Sequence, residues 1–75
     1  EQAEMINNLP TNLRKLRDAH GMSCFELSMD IQQEMDYEIH HSTLNYYENG
    51  KHSPNLNTLI ILADYFEVTI DKLVR

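Results

Sequence analysis

Apolar residues recur at intervals of three and four along most of the chain, which is the spacing that aligns side chains on one face of an α-helix. The clearest examples are Leu9, Leu13 and Leu16 near one end and Leu59, Leu62 and Phe66 near the other. The β-branched pair at 60–61 lies inside this helical period, so it does not predict a strand. The spacing therefore predicts an all-α fold, and a chain of 75 residues is long enough for one domain.

Signals for helix ends divide this pattern into segments. Pro10 suits the first turn of a helix, where its missing N–H costs nothing, and Gly21 can take the left-handed conformation that ends one. The first helix is therefore predicted over 10–20. Ser23 and Glu26 have the spacing of a capping box and predict the start of a second helix.

The connection between the second and third predicted helices leaves two alternatives open. Residues 32–35 can extend the second helix by a turn or belong to a loop, and residues 36–38 are typical of a turn. Ile39 is expected to be buried just before a third helix over about 41–49, with His40 as its cap.

The fourth and fifth helices are predicted from their caps, Asn55 and Thr69. The apolar stripe expected on the fourth helix comprises Leu56, Leu59, Leu62, Ala63 and Phe66. The predicted architecture is thus five short helices around one core. Residues 1–7 are expected to be an N-terminal extension, partly of vector origin, and residues 8–75 the folded domain.

The formal net charge of −6 argues, by itself, against a nucleic-acid partner, because affinity for DNA comes largely from Lys and Arg that neutralise phosphates. The charges are unevenly distributed, however, since three of the six basic residues lie within 14–17 and the acids lie mostly elsewhere. The single cysteine excludes an intramolecular disulfide and fits a reducing cytoplasm. No apolar run approaches the ~20 residues that cross a bilayer, so no membrane association is expected.

The adjacent histidines His40 and His41 follow a stretch rich in acids and raise the question of a metal site. Neighbouring residues on a helix diverge by about 100°, whereas a metal-binding pair on a helix is spaced three or four apart. With one Cys and no second His in register, no metal is expected. An enzyme, a cofactor and a small-molecule substrate are not expected either, because the sequence lacks a glycine-rich phosphate loop and Cys24 occupies an ordinary helical first turn.

Several segments, taken in order, resemble the lambda-repressor-like (Cro-type, XRE) helix-turn-helix domains. These segments are Leu16-Arg17, Gly21-Met22-Ser23, Ser42-Thr43-Leu44, Tyr47-Glu48-Asn49-Gly50-Lys51, Pro54-Asn55-Leu56 and Phe66-Glu67-Val68-Thr69. The resemblance covers roughly residues 9–74. It implies a sequence-specific, DNA-binding transcriptional regulator, a repressor of bacterial or phage origin that acts in the cytoplasm.

Two departures from the family pattern bear on this interpretation. Residues 32–38 form an insertion where the family usually has a tight turn, as in some phage repressors of this class. The family also often places a glutamine just after the cap of the second helix, where it helps to hold a phosphate. Cys24 stands there in this chain, and a thiol is a poor hydrogen-bonding partner.

The resemblance implies that the third helix lies in the major groove of double-stranded DNA, with its outer residues against base edges. The residues implied to contact bases are His41, Ser42, Asn45 and Tyr46. Those implied to contact the DNA backbone are His40, Arg17, Asn49 and Lys51. An ion pair between Arg17 and Glu48 is implied to tie the first helix to the third.

Each of these residues also has a plainer explanation as an exposed polar side chain on a solvated helix. A homodimer is expected, with its interface near Ile70, Leu73 and Val74. The alternative function is an acidic helix-turn-helix module that acts through protein–protein interaction. Its motivation is the net charge and the carboxylates within residues 32–38, and it would gain support if that insertion covered the outer face of the third helix.

Overall fold

The computed structural model describes residues 8–75, and five α-helices account for most of them. They are α1 (Leu9–Ala19), α2 (Cys24–Met35), α3 (His41–Glu48), α4 (Leu56–Phe66) and α5 (Ile70–Val74). No strand occurs between residues 8 and 75, so the prediction of five short helices in an all-α fold is confirmed. None of these five helices has the length and apolar content that crossing a bilayer requires. The expected extension over residues 1–7 lies outside the described part of the chain.

Short polar residues fix the starts of the helices. Ser23 Oγ accepts the backbone N–H of Glu26 at 3.1 Å, and the Glu26 carboxylate accepts the Ser23 N–H at 2.9 Å, which completes the capping box. Asn55 and Thr69 accept backbone N–H groups in the same way at the starts of α4 and α5. Each such cap contributes about 1 kcal/mol, and all three positions agree with the sequence prediction.

The connection between α2 and α3 combines a longer helix with a longer loop. α2 continues to Met35 and ends at Asp36, which adopts a left-handed conformation with a φ of 54° that Asp tolerates better than most residues. Tyr37 then shares a hydrogen bond of 2.8 Å between its Oη and Thr58 Oγ1. The inserted segment is therefore attached to α4.

The core is a single cluster to which every helix contributes. Its fully buried side chains are Leu13, Leu27, Ile31, Leu44, Leu62 and Leu73. Ile39, the predicted staple before α3, is also buried. α3 packs on α1 and α2, α5 packs on α1, and α4 packs on α2 and α5. The main packing partners of α3 are thus the two helices that precede it.

Leu56 does not belong to the buried stripe in which it was predicted, since 65% of it is exposed. The buried side of α4 runs through Thr58, Leu62 and Phe66 instead. Leu56 is two residues from Thr58, which corresponds to about 200° around a helix, so it points away from the core. The remaining predicted members are buried or half-buried.

Leu73 was expected to be an exposed part of a dimer interface, and it is completely buried instead. The cause is that α5 folds back on α1. Asn12 Nδ2 donates to the Leu73 carbonyl at 2.9 Å, and the Asn8 N–H donates to the Val74 carbonyl at 2.8 Å. Ile70 is half-buried against the same core, and Val74 is also half-buried.

Candidate nucleic-acid interface

The two sides of α3 have opposite roles. Leu44 and Tyr47, three residues apart, are buried in the core as the sequence predicts. The other side carries the residues implied to contact bases, of which His41, Asn45 and Tyr46 are exposed and Ser42 is half-buried. The fold thus gathers all four on one helix, with its polar side turned to solvent.

His40 caps α3 through its ring. The backbone of His40 is extended, and its Nδ1 accepts the Ser42 N–H at 3.1 Å and lies 2.7 Å from Ser42 Oγ. Because Nδ1 acts as the acceptor for that N–H, the neutral ring carries its proton on Nε2. His40 is exposed, so this Nε2–H donor is available at the N-terminus of α3, where anions are favoured.

The rings of His40 and His41 stack, with centroids 4.4 Å apart and planes at 28°. The expectation that these neighbouring side chains diverge was therefore wrong. It assumed that both residues are helical, whereas His40 is the extended residue before the helix. No group of three or more His, Cys, Asp or Glu side chains that could hold a metal is found within residues 8–75.

Phe25 extends this aromatic edge, although sequence reasoning did not single it out. Its ring meets that of His41 edge to face, with centroids 5.5 Å apart, and the residue is exposed. The signal that could have found it is an aromatic residue in the first turn of α2 at a position turned away from the core. Phe25, His41 and His40 thus form a continuous row of rings at the entry to α3.

The amides of Asn45 and Asn49 are coupled. Asn49 Nδ2 donates to Asn45 Oδ1 at 2.6 Å, one turn along the helix. This bond orients the Asn45 amide, and the Asn45 Nδ2 group has no hydrogen-bond partner among residues 8–75. The ring of Tyr46 packs edge to face against the ring of His52, with centroids 5.1 Å apart.

Arg17 and Glu48 form a buried, two-point ion pair that joins α1 to α3. Arg17 Nε and Nη2 donate to the two carboxylate oxygens at 2.6 and 2.9 Å, and Nη1 donates to the Met22 carbonyl at 2.7 Å. The Glu48 side chain is only 2% exposed. The hydrogen bond with Glu48 raises the pKa of Arg17 above its ordinary value, so the guanidinium remains charged. The pair fixes the C-terminal end of α3.

Two further groups approach the buried Glu48 carboxylate. Arg14 Nε lies 3.4 Å from one oxygen, and the Cys24 thiol donates to the other across 3.8 Å. Burial raises the pKa of Cys24, and the negative charge of Glu48 raises it further. Cys24 is therefore a neutral thiol directed at the ion pair, in the position where the family often has a phosphate-binding glutamine.

The segment beyond α3 presents polar and basic groups to solvent. Gly50 takes a φ of 74°, a left-handed conformation that allows the Lys51 N–H to bond back to the Tyr46 carbonyl at 2.9 Å. Asn49 and Lys51 are exposed there, and the Arg14 guanidinium reaches Asn49 Oδ1 at 3.5 Å. Exposed cationic groups therefore collect beside the C-terminal end of α3.

A helix whose polar side remains open while its apolar side is held by two earlier helices defines the helix-turn-helix class of domain. The chain belongs to the helix-turn-helix family, since the family model described as Helix-turn-helix matches residues 13–73. The resemblance seen in the sequence is confirmed by that match.

A crystal structure of the DNA-binding domain of BldD has a similar fold. The TM-score is 0.69, the sequence identity is 22%, and the similarity covers 92% of each chain. A comparison with curated protein sequences finds no match.

Proposed function

We propose that this protein is a sequence-specific DNA-binding regulator of transcription that acts as a repressor by inserting α3 into the major groove. The observation that supports it best is the exposed polar side of α3, on the same helix as the buried residues Leu44, Tyr47 and Glu48. The family membership and the similar fold of a domain described as DNA-binding also support the proposal.

The base contacts proposed for α3 follow from the side chains on its open face. Asn45 can pair with adenine through its amide, and Ser42 and His41 can contact several base edges. Asn45 Oδ1 already accepts a hydrogen bond from the Asn49 amide. A second lone pair remains for the adenine amino group, so the bond orients Asn45 without blocking it. Tyr46 offers its ring to a thymine methyl group and its hydroxyl to a phosphate.

The backbone contacts proposed for the domain lie at the two ends of α3. The free Nε2–H of His40 is placed for a phosphate at the helix N-terminus. Asn49 and Lys51 are placed for phosphates at the other end. Arg17 is the weakest of the four, because three of its five N–H groups already bond to Glu48 and Met22.

A homodimer is proposed as the unit that binds DNA. Two copies related by a two-fold axis would place two α3 helices in successive major grooves about 34 Å apart. The preferred operator would then be a palindrome of two half-sites. An origin in a bacterium or phage and action in the cytoplasm are proposed on the strength of the family resemblance.

The alternative is a domain that binds other proteins through its acidic surface. The observation that favours it is a shallow cavity on α2, lined by the exposed apolar residues Phe25 and Met29 beside Glu26 and Asp30. The structure gives this alternative less support than DNA binding. Tyr37 attaches the inserted segment to α4, and His41, Asn45 and Tyr46 remain exposed instead of being covered by its carboxylates.

Selection from a random pool of duplex DNA tests the proposal. We expect a consensus sequence to be enriched, and we expect the double variant Asn45→Ala, Tyr46→Ala to lose at least about tenfold in affinity for it, since each good base contact discriminates by about 1–3 kcal/mol. The matched control is Gln32→Ala, Gln33→Ala, which removes two exposed amides from α2. A pool without enrichment, or equal binding by the two double variants, would contradict the proposal.

A further inference from the structure

After the core is assembled, α4 retains two large apolar side chains that remain exposed. Leu56 is 65% exposed and Ile60 is 41% exposed. They are four residues apart, so they lie one above the other on the same face of the helix. We call this pair the α4 face. Buried Thr58 and Leu62 each follow a member of the pair by two residues, about 200° around the helix, whereas buried Ala63 borders the pair.

The α4 face lies in the longest stretch of the sequence without ionisable side chains. Residues 53–63 contain no Asp, Glu, Lys, Arg or His. Elsewhere the chain carries a net charge of −6, so two copies repel each other over most of their surfaces. They can approach with the least electrostatic cost at the first two turns of α4, which carry no charged side chain.

We infer that the α4 face is a self-association surface, on which a second copy of this chain packs α4 against α4 in antiparallel orientation. In a two-fold interface each contact occurs twice, so Leu56 of each copy would lie against Ile60 of the other. The inference specifies the interface of the proposed DNA-binding dimer, and it rests on that proposed function only where DNA is involved.

Charge at the borders of this interface is consistent with the antiparallel arrangement. Asp64 follows Ile60 by four residues and continues the same side of α4 beyond the apolar pair. Antiparallel packing carries it past Leu56 of the second copy, toward the segment that brings in the basic residues Lys51 and His52. The two Asp64 carboxylates lie at opposite ends of the interface, so they do not oppose each other.

The size of the α4 face indicates a weak dimer. Stable interfaces bury about 1,200–2,000 Å² in total, which is more than two aliphatic side chains per copy and their neighbours supply. Binding to two half-sites of one DNA duplex raises the effective concentration of each copy for the other. The α4 face would therefore act mainly as a source of cooperativity on DNA.

The location of the α4 face is compatible with simultaneous DNA binding. The main packing partners of α4 are α2 and α5, whereas those of α3 are α1 and α2. The residues proposed to contact DNA lie on α1, on α3 and at its two ends, and none of them belongs to the α4 face. The proposed interface therefore does not use His41, Asn45 or Tyr46.

Sedimentation equilibrium without DNA tests the interface directly. We expect the wild-type chain to associate reversibly to a dimer over a concentration series, and Leu56→Lys, Ile60→Lys to raise the dissociation constant at least about tenfold by replacing apolar contact with like charge. The matched control is Phe25→Lys, Met29→Lys, which makes the same charge change on the exposed apolar residues of α2. Circular dichroism checks that each variant remains folded.

Three outcomes of that experiment would overturn the inference. They are a wild-type chain that stays monomeric throughout, a wild-type chain that forms larger aggregates, and equal loss of association in both double variants.

A cross-linking experiment tests the register of the α4–α4 packing independently. Mixing Leu56→Cys with Ile60→Cys, each in a Cys24→Ser background, should give a mixed disulfide dimer in preference to either symmetric one.

DNA experiments separate a failure of this inference from a failure of the proposed function. On a duplex with one half-site, we expect Leu56→Lys, Ile60→Lys to bind as tightly as wild type. On a duplex with two half-sites, we expect it to lose the cooperative gain of the wild-type chain. If wild type dimerises but binds no selected DNA, the interface stands and the proposed function fails. If both chains bind two half-sites equally, the α4 interface fails and DNA binding stands.

Discussion

Glu48 is the residue on which the position of α3 depends most. Its carboxylate is almost completely removed from water and accepts two hydrogen bonds from Arg17. A buried charge is costly unless it is paired and hydrogen-bonded. Within residues 8–75, Arg17 in turn has no other carboxylate at such short distance, since its contact with Asp18 is 3.5 Å.

Glu48→Gln should therefore destabilise the fold strongly. The amide cannot neutralise Arg17, whose guanidinium would remain charged and largely buried, and breaking a buried ion pair in this way costs about 3–5 kcal/mol. We expect a marked decrease in the urea midpoint of unfolding. The partial exposure of Arg17 places the loss toward the lower end of that range.

Glu34→Gln is the matched control, because it makes the same chemical change at an exposed carboxylate on α2. Its midpoint should remain close to that of wild type. If the two variants unfold at the same urea concentration, the ion pair does not stabilise the position of α3 as described.

The helix α3 has a histidine as its N-cap residue, whereas Ser, Thr, Asp and Asn are the residues preferred at that position. His40→Ala should lower the free energy of unfolding by about 1 kcal/mol, because the Ser42 N–H loses its acceptor. His40→Asn should recover most of that loss, since an Asn side chain caps as well. Chemical denaturation monitored by circular dichroism measures both changes.

The same pair of variants separates the two roles given to His40. If the residue acts only as a cap, His40→Asn should restore DNA binding together with stability. If its Nε2–H also contacts a phosphate, His40→Asn should be stable but bind more weakly. A result in which His40→Asn is as unstable as His40→Ala would contradict the capping role itself.

The starts of the elements could be predicted from the sequence because they depend on neighbours in the chain. Ser23, Asn55 and Thr69 act on backbone N–H groups within three residues, so the local pattern contains the necessary information. The path of residues 36–38 could not be predicted, because it depends on a hydrogen bond between Tyr37 and Thr58, which lies 21 residues away. The orientation of α4 was predicted incorrectly at Leu56, because the local pattern did not show that Thr58 is buried.

The candidate site, like the helices, could be predicted only in part from the sequence. Leu44 and Tyr47 fixed which side of α3 is buried, and the polar side followed from helical geometry. The stacking of His40 on His41 was not predictable from helical spacing, because it arises from the extended backbone of the capping residue. Phe25 was missed because its relation to His41 is a contact between two helices.

For the whole molecule, the distribution of charge sets the expected behaviour on DNA. Six basic residues are present, and three of them form ion pairs within residues 8–75: Arg14 and Arg17 with Glu48, and Arg75 with Asp71 at 2.7 Å. Few cations therefore remain to displace counterions from DNA. Specific base contacts would carry an unusually large part of the affinity.

The logarithm of the binding constant should consequently fall only slowly with the logarithm of salt concentration. Each neutralised phosphate contributes about 0.9 to that slope on duplex DNA. Lys51→Gln should reduce the slope by about 1, whereas Lys72→Gln, on the exposed surface of α5, should leave it unchanged. Fluorescence titrations with the selected duplex at several salt concentrations measure the slopes. Equal slopes for the two variants would exclude a phosphate contact by Lys51.

The division of α3 into a buried side and an open side has a consequence for how such a protein can change over generations. Leu44, Tyr47 and Glu48 maintain the fold, and the residues proposed to contact bases take little part in the core. Mutations on the open side are therefore nearly free of selection for stability. A lineage could exchange one operator sequence for another by drift and selection at a few codons, while the rest of the gene remained unchanged.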